Sequence, residues 1–394
     1  MSGAPPRFVV IGNPENRRVA FFQEALRRFS LPEARVLSYE DLLTGRASLE
    51  AALTPGTVLR FESPGENFAV ESLLLKEGRD DAEAEGVPIA PDDLSFDRGQ
   101  IVAPRQWYLG FRRVLRRWSG LLETVPGVWV MNAPADIECM FDKVACHARC
   151  LEGGVAVPPG LGPVQNYDEL IARMGEAGWD RVFVKLAHGS SASGVVAFHR
   201  RGDAQSAITS AEIVRTGEDI RLYNSLRIRR YEREAELRDL INALAAERVH
   251  VEQWLPKASL VRGESMDVRV VVIDGEPCHL VVRQGRSPMT NLHLGNRRGN
   301  VSAFLEQVGE SRRSEFFETC RRTARLFRGT LYAGLDVLFT PGFRRHAVLE
   351  VNAFGDLLPG VTSSGWTTYE AEIDAMLLRL MRSGLRLTRD WRIQ

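Results

Sequence analysis

The stretch from Leu331 to Gly360, LYAGLDVLFTPGFRRHAVLEVNAFGDLLPG, constrains this chain more than any other. Two apolar runs flank a polar turn, Thr340-Pro341-Gly342-Phe343-Arg344-Arg345, which predicts a β-hairpin. Asp336 interrupts the first run, and Glu350 and Asn352 interrupt the second. Residues two apart on a strand point to one face, so Glu350 and Asn352 share a face, and Asp336 can stand beside them if the runs pair. Two carboxylates and an amide oxygen are hard ligands that suit Mg²⁺ held jointly with phosphate oxygens. Acids set among Leu, Val and Ala are costly to bury without a cation or hydrogen-bonding partners. Two acids at strand ends near solvent satisfy the same pattern, and spacing alone leaves both readings open.

The chain of 394 residues, 44% of them apolar, can bury a large core and predicts two or three domains. Lys plus Arg balances Asp plus Glu at 51 each, which gives no support to a nucleic-acid binder. The five cysteines, Cys139, Cys146, Cys150, Cys278 and Cys320, form no close CxxC pair, so neither a disulfide scaffold nor a zinc ribbon is favoured. Cys146 and Cys150, with His147 between them, read as packed thiols on one helix. The amino terminus lacks a long apolar run and no later segment is apolar enough to cross a bilayer, so a reducing cytoplasm is the expected location.

Along the chain, strands at Arg7–Ile11, Arg35–Ser38 and Thr57–Phe61 alternate with helical stretches from Asn16 to Phe29 and at Tyr39–Leu43, the spacing of an open α/β layer. Gly12 stands alone without GxGxxG, so this is no dinucleotide fingerprint. Glu62–Asn67 follows a strand and reads as a binding loop or a plain turn. Residues 76–99 read as an acidic, solvated excursion. Gln106–Leu122 interleaves Trp107, Tyr108, Phe111, Leu115 and Trp118 with Arg112, Arg113, Arg116 and Arg117. Its helical spacing favours an amphipathic packing helix over nucleic-acid binding, and the arginines could also face an anionic substrate. One helix is expected from about Asp136 to Gly153, and another over Asn166–Met174. Arg181–Leu186 is a strand carrying Lys185; the small-residue turn Ala187–Gly194 and a strand at Val195–His199 follow. Such a turn can close its N–H groups and hydroxyls over phosphates while Lys185 supplies charge, or it is an ordinary hairpin. Strand segments at Ile208–Ile213, Arg227–Arg230 and His250–Trp254, with a charged helix over Glu232–Leu244, come next. A hairpin then turns through Asp274-Gly275, placing Asp267 and Arg269 on one face and Arg283 on the returning strand. Residues 286–299 read as a loop, Ser314–Phe327 and Tyr369–Leu385 as helices.

These segments, in this order, resemble the ATP-grasp ligases, most nearly the branch similar to ribosomal protein S6 modification enzymes. Asn132-Ala133-Pro134, Asp142-Lys143, Val155–Pro158, Val182–Gly194, Val251–Leu255, Met266–Gly275, Asn291-Leu292-His293 and Leu335–Phe354 carry the resemblance over about residues 130–370. The first 125 residues resemble the pre-ATP-grasp domain only in pattern. The resemblance implies an α/β fold of ATP-grasp type: an open parallel α/β domain over 1–128, a nucleotide-binding subdomain over 129–255, and a carboxyl-terminal subdomain with Mg²⁺-binding residues over 256–394.

The same resemblance implies ATP and Mg²⁺ as cofactors. Lys143 and Lys185 match the lysines that contact ATP phosphates, and His188, Gly189, Ser190, Ser191, Ser193 and Gly194 match the loop that covers them. Glu252 matches the hinge acid, with the backbone of Gln253, Trp254 and Leu255 at the adenine edge and Lys257 or Glu264 toward the ribose. Asp267 and Arg269 match a paired acidic–basic site, Arg283 the arginine facing the transferred phosphoryl group, Asn291 the segment approaching the acyl phosphate, and Asp336, Glu350 and Asn352 the Mg²⁺ ligands. Asn296-Arg297-Arg298-Gly299 departs from the small Gly-rich stretch usual in that branch. The implied activity is an ATP-dependent ligase that joins a small-molecule or peptide carboxylate to an amine or thiol through an acyl phosphate, with Arg283, Lys185, Asn291 and Arg269 at the reacting centre. An ATP-grasp-like phosphoryl-transfer enzyme, or a nucleotide-binding interaction protein without turnover, are the alternatives. No nucleic-acid or membrane partner is expected.

Overall fold

The computed structural model describes residues 5–189, 192–217, 219–355 and 358–384. Three sheets organise them. The first is parallel, in the order β2-β1-β3-β4. It is built from β1 (Arg7–Ile11), α1 (Arg17–Arg28), β2 (Arg35–Leu37), α2 (Tyr39–Leu43), β3 (Thr57–Phe61), α3 (Phe68–Glu77), α4 (Arg79–Glu85), α5 (Pro104–Thr124) and β4 (Trp129–Val130). Then come α6 (Pro134–Phe141), α7 (Lys143–Glu152), β5 (Gly160–Gly162), α8 (Tyr167–Ala177), β6 (Arg181–Leu186), β7 (Val196–Arg201), β8 (Ala204–Thr216), β9 (Asp219–Tyr231), α9 (Glu234–Ala246) and β10 (Val249–Gln253). Their strands form an antiparallel sheet ordered β5-β10-β6-β7-β8-β9. The third sheet is also antiparallel, β13-β12-β11-β14-β15. Its elements are β11 (Ser265–Ile273), β12 (Glu276–Gly285), β13 (Arg297–Arg298), α10 (Val301–Val308), α11 (Glu310–Arg325), β14 (Tyr332–Phe339), β15 (His346–Asn352) and α12 (Thr368–Arg382).

Helix α5 packs as its periodicity requires: Tyr108, Phe111, Leu115 and Trp118 are buried. Arginines of its basic stretch are paired with acids of neighbouring elements. Arg113 binds Asp80 and Asp81, Arg116 grips Glu138 through Nε (3.0 Å) and Nη2 (2.6 Å), and Arg117 lies 3.5 Å from Glu77. The basic stretch and the acidic excursion are thus complementary surfaces, and residues 76–85 are helical rather than loop because α5 gives them a partner. Helices α3 and α5 touch backbone to backbone: a Cβ on Gly110 would lie 1.9 Å from Leu74 O, and one on Gly78 2.1 Å from Gln106 O.

Other differences from the sequence-based expectation have local causes. The single helix expected after Asp136 is broken at Asp142, which leaves helical geometry to cap α7 by accepting from the N–H groups of Val144 and Ala145. Trp129–Val130 pairs with β3 and so extends the first sheet. Strands β8 and β9 run 13 residues each, longer than their apolar content suggested, because they pair with each other along most of their length. Helix α10 falls outside that expectation, although Val301, Phe304, Leu305 and Val308 recur at helical spacing; it starts on an Asn300 cap.

The carboxyl-terminal helix packs far from its sequence neighbours. Tyr369, Ile373 and Leu377 of α12 join Phe8, Phe22 and Leu26 in one apolar cluster that binds the first sheet to the third. Arg60 is fully buried in this seam, with Nε 2.7 Å from Glu62 Oε1 and Nη1 2.7 Å from Glu372 Oε2. The rings of Phe22, Tyr332 and Tyr369 surround its guanidinium at 4.5, 4.5 and 4.9 Å.

Candidate active site

The third sheet supplies one wall. Asp336 lies directly opposite Glu350 across β14 and β15, opposite Arg269 across β14 and β11, and Asp267 lies opposite Arg283 across β11 and β12. Facing residues of an antiparallel pair share a sheet face, so these five side chains stand on one surface with Asn352 two residues beyond Glu350. They interlock. Arg269 is bidentate on Asp336, with Nη2 3.0 Å from Oδ2; Arg283 donates Nε to Asp267 Oδ1 (2.8 Å) and places Nη2 3.1 Å from Asp336 Oδ1. Burial opposes the charge of Asp336, but Arg269 and Arg283 outweigh it and hold the carboxyl below its ordinary range. Asp267 behaves alike beside Arg283 and Lys257.

Lys257 and Thr290 complete this cluster. Lys257 Nζ lies 3.0 Å from Asp267 Oδ2 and 2.8 Å from Thr290 Oγ1, and the Thr290 hydroxyl also donates to Asp267. Asn291 is therefore held one residue from the cluster, at the start of a short 3₁₀ turn, and its carbonyl accepts from Asn296 Nδ2 at 2.8 Å. Asn352 donates Nδ2 to Gly334 O at 3.1 Å, which leaves Oδ1 as its acceptor atom.

The second sheet and α7 supply the facing wall. Lys185 on β6 pairs with Glu252 on β10. Lys143, the first residue of α7, donates Nζ to Gly189 O (2.6 Å) and reaches Glu350 Oε1 (2.9 Å), which bridges the two walls. Lys143, Lys185, His250 and Glu350 line one cavity together with Met140, Cys146 and Val351. His250 faces Lys185 across the β6–β10 ladder; burial and then the Lys185 charge push its imidazole down to about 3, and neither ring nitrogen has a hydrogen-bond partner among the described residues, Nε2 lying 3.7 Å from Glu252 Oε2. The hinge is partly used by the fold: Gln253 and Trp254 donate their N–H groups to Pro159 O (2.8 Å) and Arg181 O (3.2 Å), so those two cannot also serve a ligand.

The loop between β6 and β7 is glycine-dependent. Gly194 has φ +63°, and a Cβ there would lie 2.7 Å from Leu186 Cδ1. Ser210 Oγ anchors the loop through Ala192 O at 2.6 Å. Ser190 and Ser191 lie outside the described residues, and Ser193 is half-buried. The His188 side chain is fully buried and presents no atom to solvent.

The donor set suits a divalent cation held jointly with phosphate. Two carboxylates in register, with an amide oxygen beside them, match a cation that takes one or two protein carboxylates and completes its shell from the ligand. Among the described residues no three His, Cys, Asp or Glu side chains converge as an all-protein cage. The walls carry five cationic side chains, Lys143, Lys185, Lys257, Arg269 and Arg283, against the carboxylates of Glu252, Asp267, Asp336 and Glu350. That balance favours an anionic ligand.

Sequence reasoning missed Thr290, His250 and the work of Asn132. Asn132 is buried, donates Nδ2 to Tyr332 O (2.9 Å) and Ala353 O (2.6 Å), and accepts from Leu331 N (3.0 Å). It pins both ends of the acidic hairpin, and only its motif position hinted at this.

No protein-family model matches the sequence, and no curated protein matches it. Solved structures do match along nearly the whole length. D-cycloserine synthetase DcsG superposes with a TM-score of 0.55 at 14% identity, over 95% of this chain and 99% of that one. The ATP-grasp ligase PsnB, complexed with minimal precursor, Mg and ADP, gives 0.52 at 18% identity, over 95% and 98%. N5-carboxyaminoimidazole synthetase from Staphylococcus aureus, complexed with ADP, gives 0.51 at 10% identity, over 95% and 78%. This chain has the ATP-grasp fold, a mixed α/β architecture with one parallel and two antiparallel sheets.

Proposed function

We propose that this chain is an ATP-dependent ligase that joins a carboxylate to an amine or thiol through an acyl phosphate, in the cytoplasm, with release of ADP and phosphate. The observation that carries the reading is the one cavity on which Lys143 of α7, Lys185 of the second sheet and Glu350 of the third converge. On this reading Lys143 and Lys185 neutralise the phosphates, while Glu350, Asp336 and Asn352 would hold Mg²⁺. The cation would supply positive charge against that of the phosphates. Arg283 and Arg269 would exchange their aspartate partners for phosphoryl oxygens as charge develops there. The Leu255 N–H, beyond the two hinge amides already engaged, would meet the adenine edge. Excluding water from the cavity would protect an acyl phosphate from hydrolysis. Asn291, held beside Thr290, approaches the acyl group. The three sheets correspond on this reading to an amino-terminal substrate-side unit and two nucleotide-clasping units. The substrate is a small-molecule or peptide carboxylate.

The test is incubation with MgATP and a panel of carboxylates, including acidic peptides, in hydroxylamine. A hydroxamate with stoichiometric ADP supports ligation; ADP formation with a phosphorylated alcohol product instead would make the protein a kinase. Glu350→Gln is expected to cut turnover by about a hundredfold or more while leaving the fold intact. Full turnover in that variant would refute the metal assignment.

A further inference from the structure

His188 is bound more tightly than a residue at the root of a covering loop needs to be. Its ring stacks on Tyr108 of α5 with centroids 4.0 Å apart and planes 24° apart. Its Nε2 lies 3.0 Å from Arg105 Nη1, also on α5, and 3.2 Å from Asp142 Oδ2, the cap of α7. Arg105 is itself fixed by Glu85 through Nε and Nη2, each at 2.8 Å. One ring nitrogen thus faces a donor and an acceptor together. The Nε2–H tautomer satisfies Asp142 and leaves Nδ1 a bare lone pair; the Nδ1–H tautomer satisfies Arg105 but strands an N–H, since Nδ1 has no partner among the described residues. Burial drives the imidazole down to about 4, against the pull of Asp142, so the ring is neutral in either form.

The residues on both sides of His188 are bound to Lys143. Lys143 N donates to Ala187 O at 3.0 Å, and Lys143 Nζ donates to Gly189 O at 2.6 Å. We propose that His188 is a positioning residue: through it, Arg105 and Tyr108 of the amino-terminal layer fix the root of the covering loop and the placement of Lys143. Its ring touches no ligand. Three elements, α5, the α7 cap and the β6–β7 loop, meet on this imidazole, so a shift of α5 is transmitted to Lys143 at the cavity. The part of this inference that names a nucleotide rests on the ligase reading; the part that concerns the loop does not.

Two measurements on the full chain separate these parts. Hydrogen exchange of the ligand-free protein reads the loop, and calorimetric titration with Mg²⁺ and a non-hydrolysable ATP analogue reads the site. His188→Ala is expected to speed exchange at amides 187–195 by about tenfold or more, with β11–β15 unchanged, and to weaken analogue binding by about tenfold. Tyr108→Leu, which removes the stack and keeps α5 apolar, is expected to move both readouts in the same direction by less, and stands in if His188→Ala does not fold. Unchanged loop exchange in the folded variant would overturn the proposal. Faster loop exchange with unchanged analogue affinity would overturn its link to Lys143. A wild-type protein that binds no analogue would overturn the nucleotide reading, while the exchange result still decides the pin.

Discussion

Glu247, which caps α9 and accepts weakly from the Arg105 backbone N–H at 3.4 Å, carries a pH dependence whose size follows from its surroundings. Burial pushes its carboxyl from 4.5 up to about 7, and the Arg105 amide offsets only part of this. The folded chain therefore holds this proton more tightly than the unfolded chain does. The sign is fixed: its contribution is most favourable below the unfolded value near 4.5 and is lost as pH rises through about 7. Each pH unit between these values is worth about 1.4 kcal/mol, so ionising Glu247 in place costs about 3 kcal/mol of stability by about pH 8. Glu247→Gln removes the proton equilibrium and keeps an oxygen for Arg105. Its stability relative to wild type is expected to rise by about 3 kcal/mol between about pH 4 and about pH 8. Glu372, pushed up to about 7 by burial, and His188 titrate in both proteins and cancel in the difference. Urea unfolding followed by tryptophan fluorescence across that range gives the two curves. Curves that stay parallel would refute the assignment of a protonated, half-buried Glu247.

Two further outcomes are expected. Lys143→Met removes the Nζ contacts to Gly189 O and Glu350 and should lower affinity for a Mg²⁺–ATP analogue by about tenfold to a hundredfold, as loss of one charged hydrogen bond implies; its thermal midpoint should change little, because the pair is partly solvated. Gly110→Ala forces a methyl group against Leu74 O, and since backbone must move to admit it, a loss of about 2 kcal/mol or more is expected in denaturant titrations.

Much of the third sheet was legible because its signals are local. The Asp274-Gly275 and Thr340–Arg345 turns set the pairing next to each loop, and a one-residue bulge in each hairpin, at Val271/Val272 and at Asp336/Val337, then shifts it so that Asp267 faces Arg283 and Asp336 faces Glu350. What the sequence could not convey depends on partners distant along the chain. Nothing beside Arg60 in the sequence marks its partner: Glu372, 312 residues away, makes it a buried pin. The acidic run near residue 80 reads as solvated until α5 brings its arginines alongside. Lys257 and Thr290, separated by 33 residues, meet only because both pack against Asp267. His188 reads as one more member of a small-residue loop, and only the packed ring of Tyr108 shows that it faces inward.

The resting ion pairs explain how a site rich in cations stays folded without an anion. Arg283 and Asp336 are almost fully buried, and an unpaired charge at such depth would cost several kcal/mol. Three of the five cations instead lean on an acid that, on the ligase reading, would later serve the metal: Arg269 and Arg283 on Asp336, Lys143 on Glu350. Binding a phosphate chain with its divalent cation would then exchange partners, cation to phosphate and acid to metal, without stranding a charge at either stage. On the same reading, a phosphate that drew Arg283 away would leave Asp336 held by Arg269 alone and more open to the metal, and a metal on Glu350 would free Lys143 for the phosphate. Each ligand would thus loosen an ion pair that the other uses, so each should bind more weakly without the other.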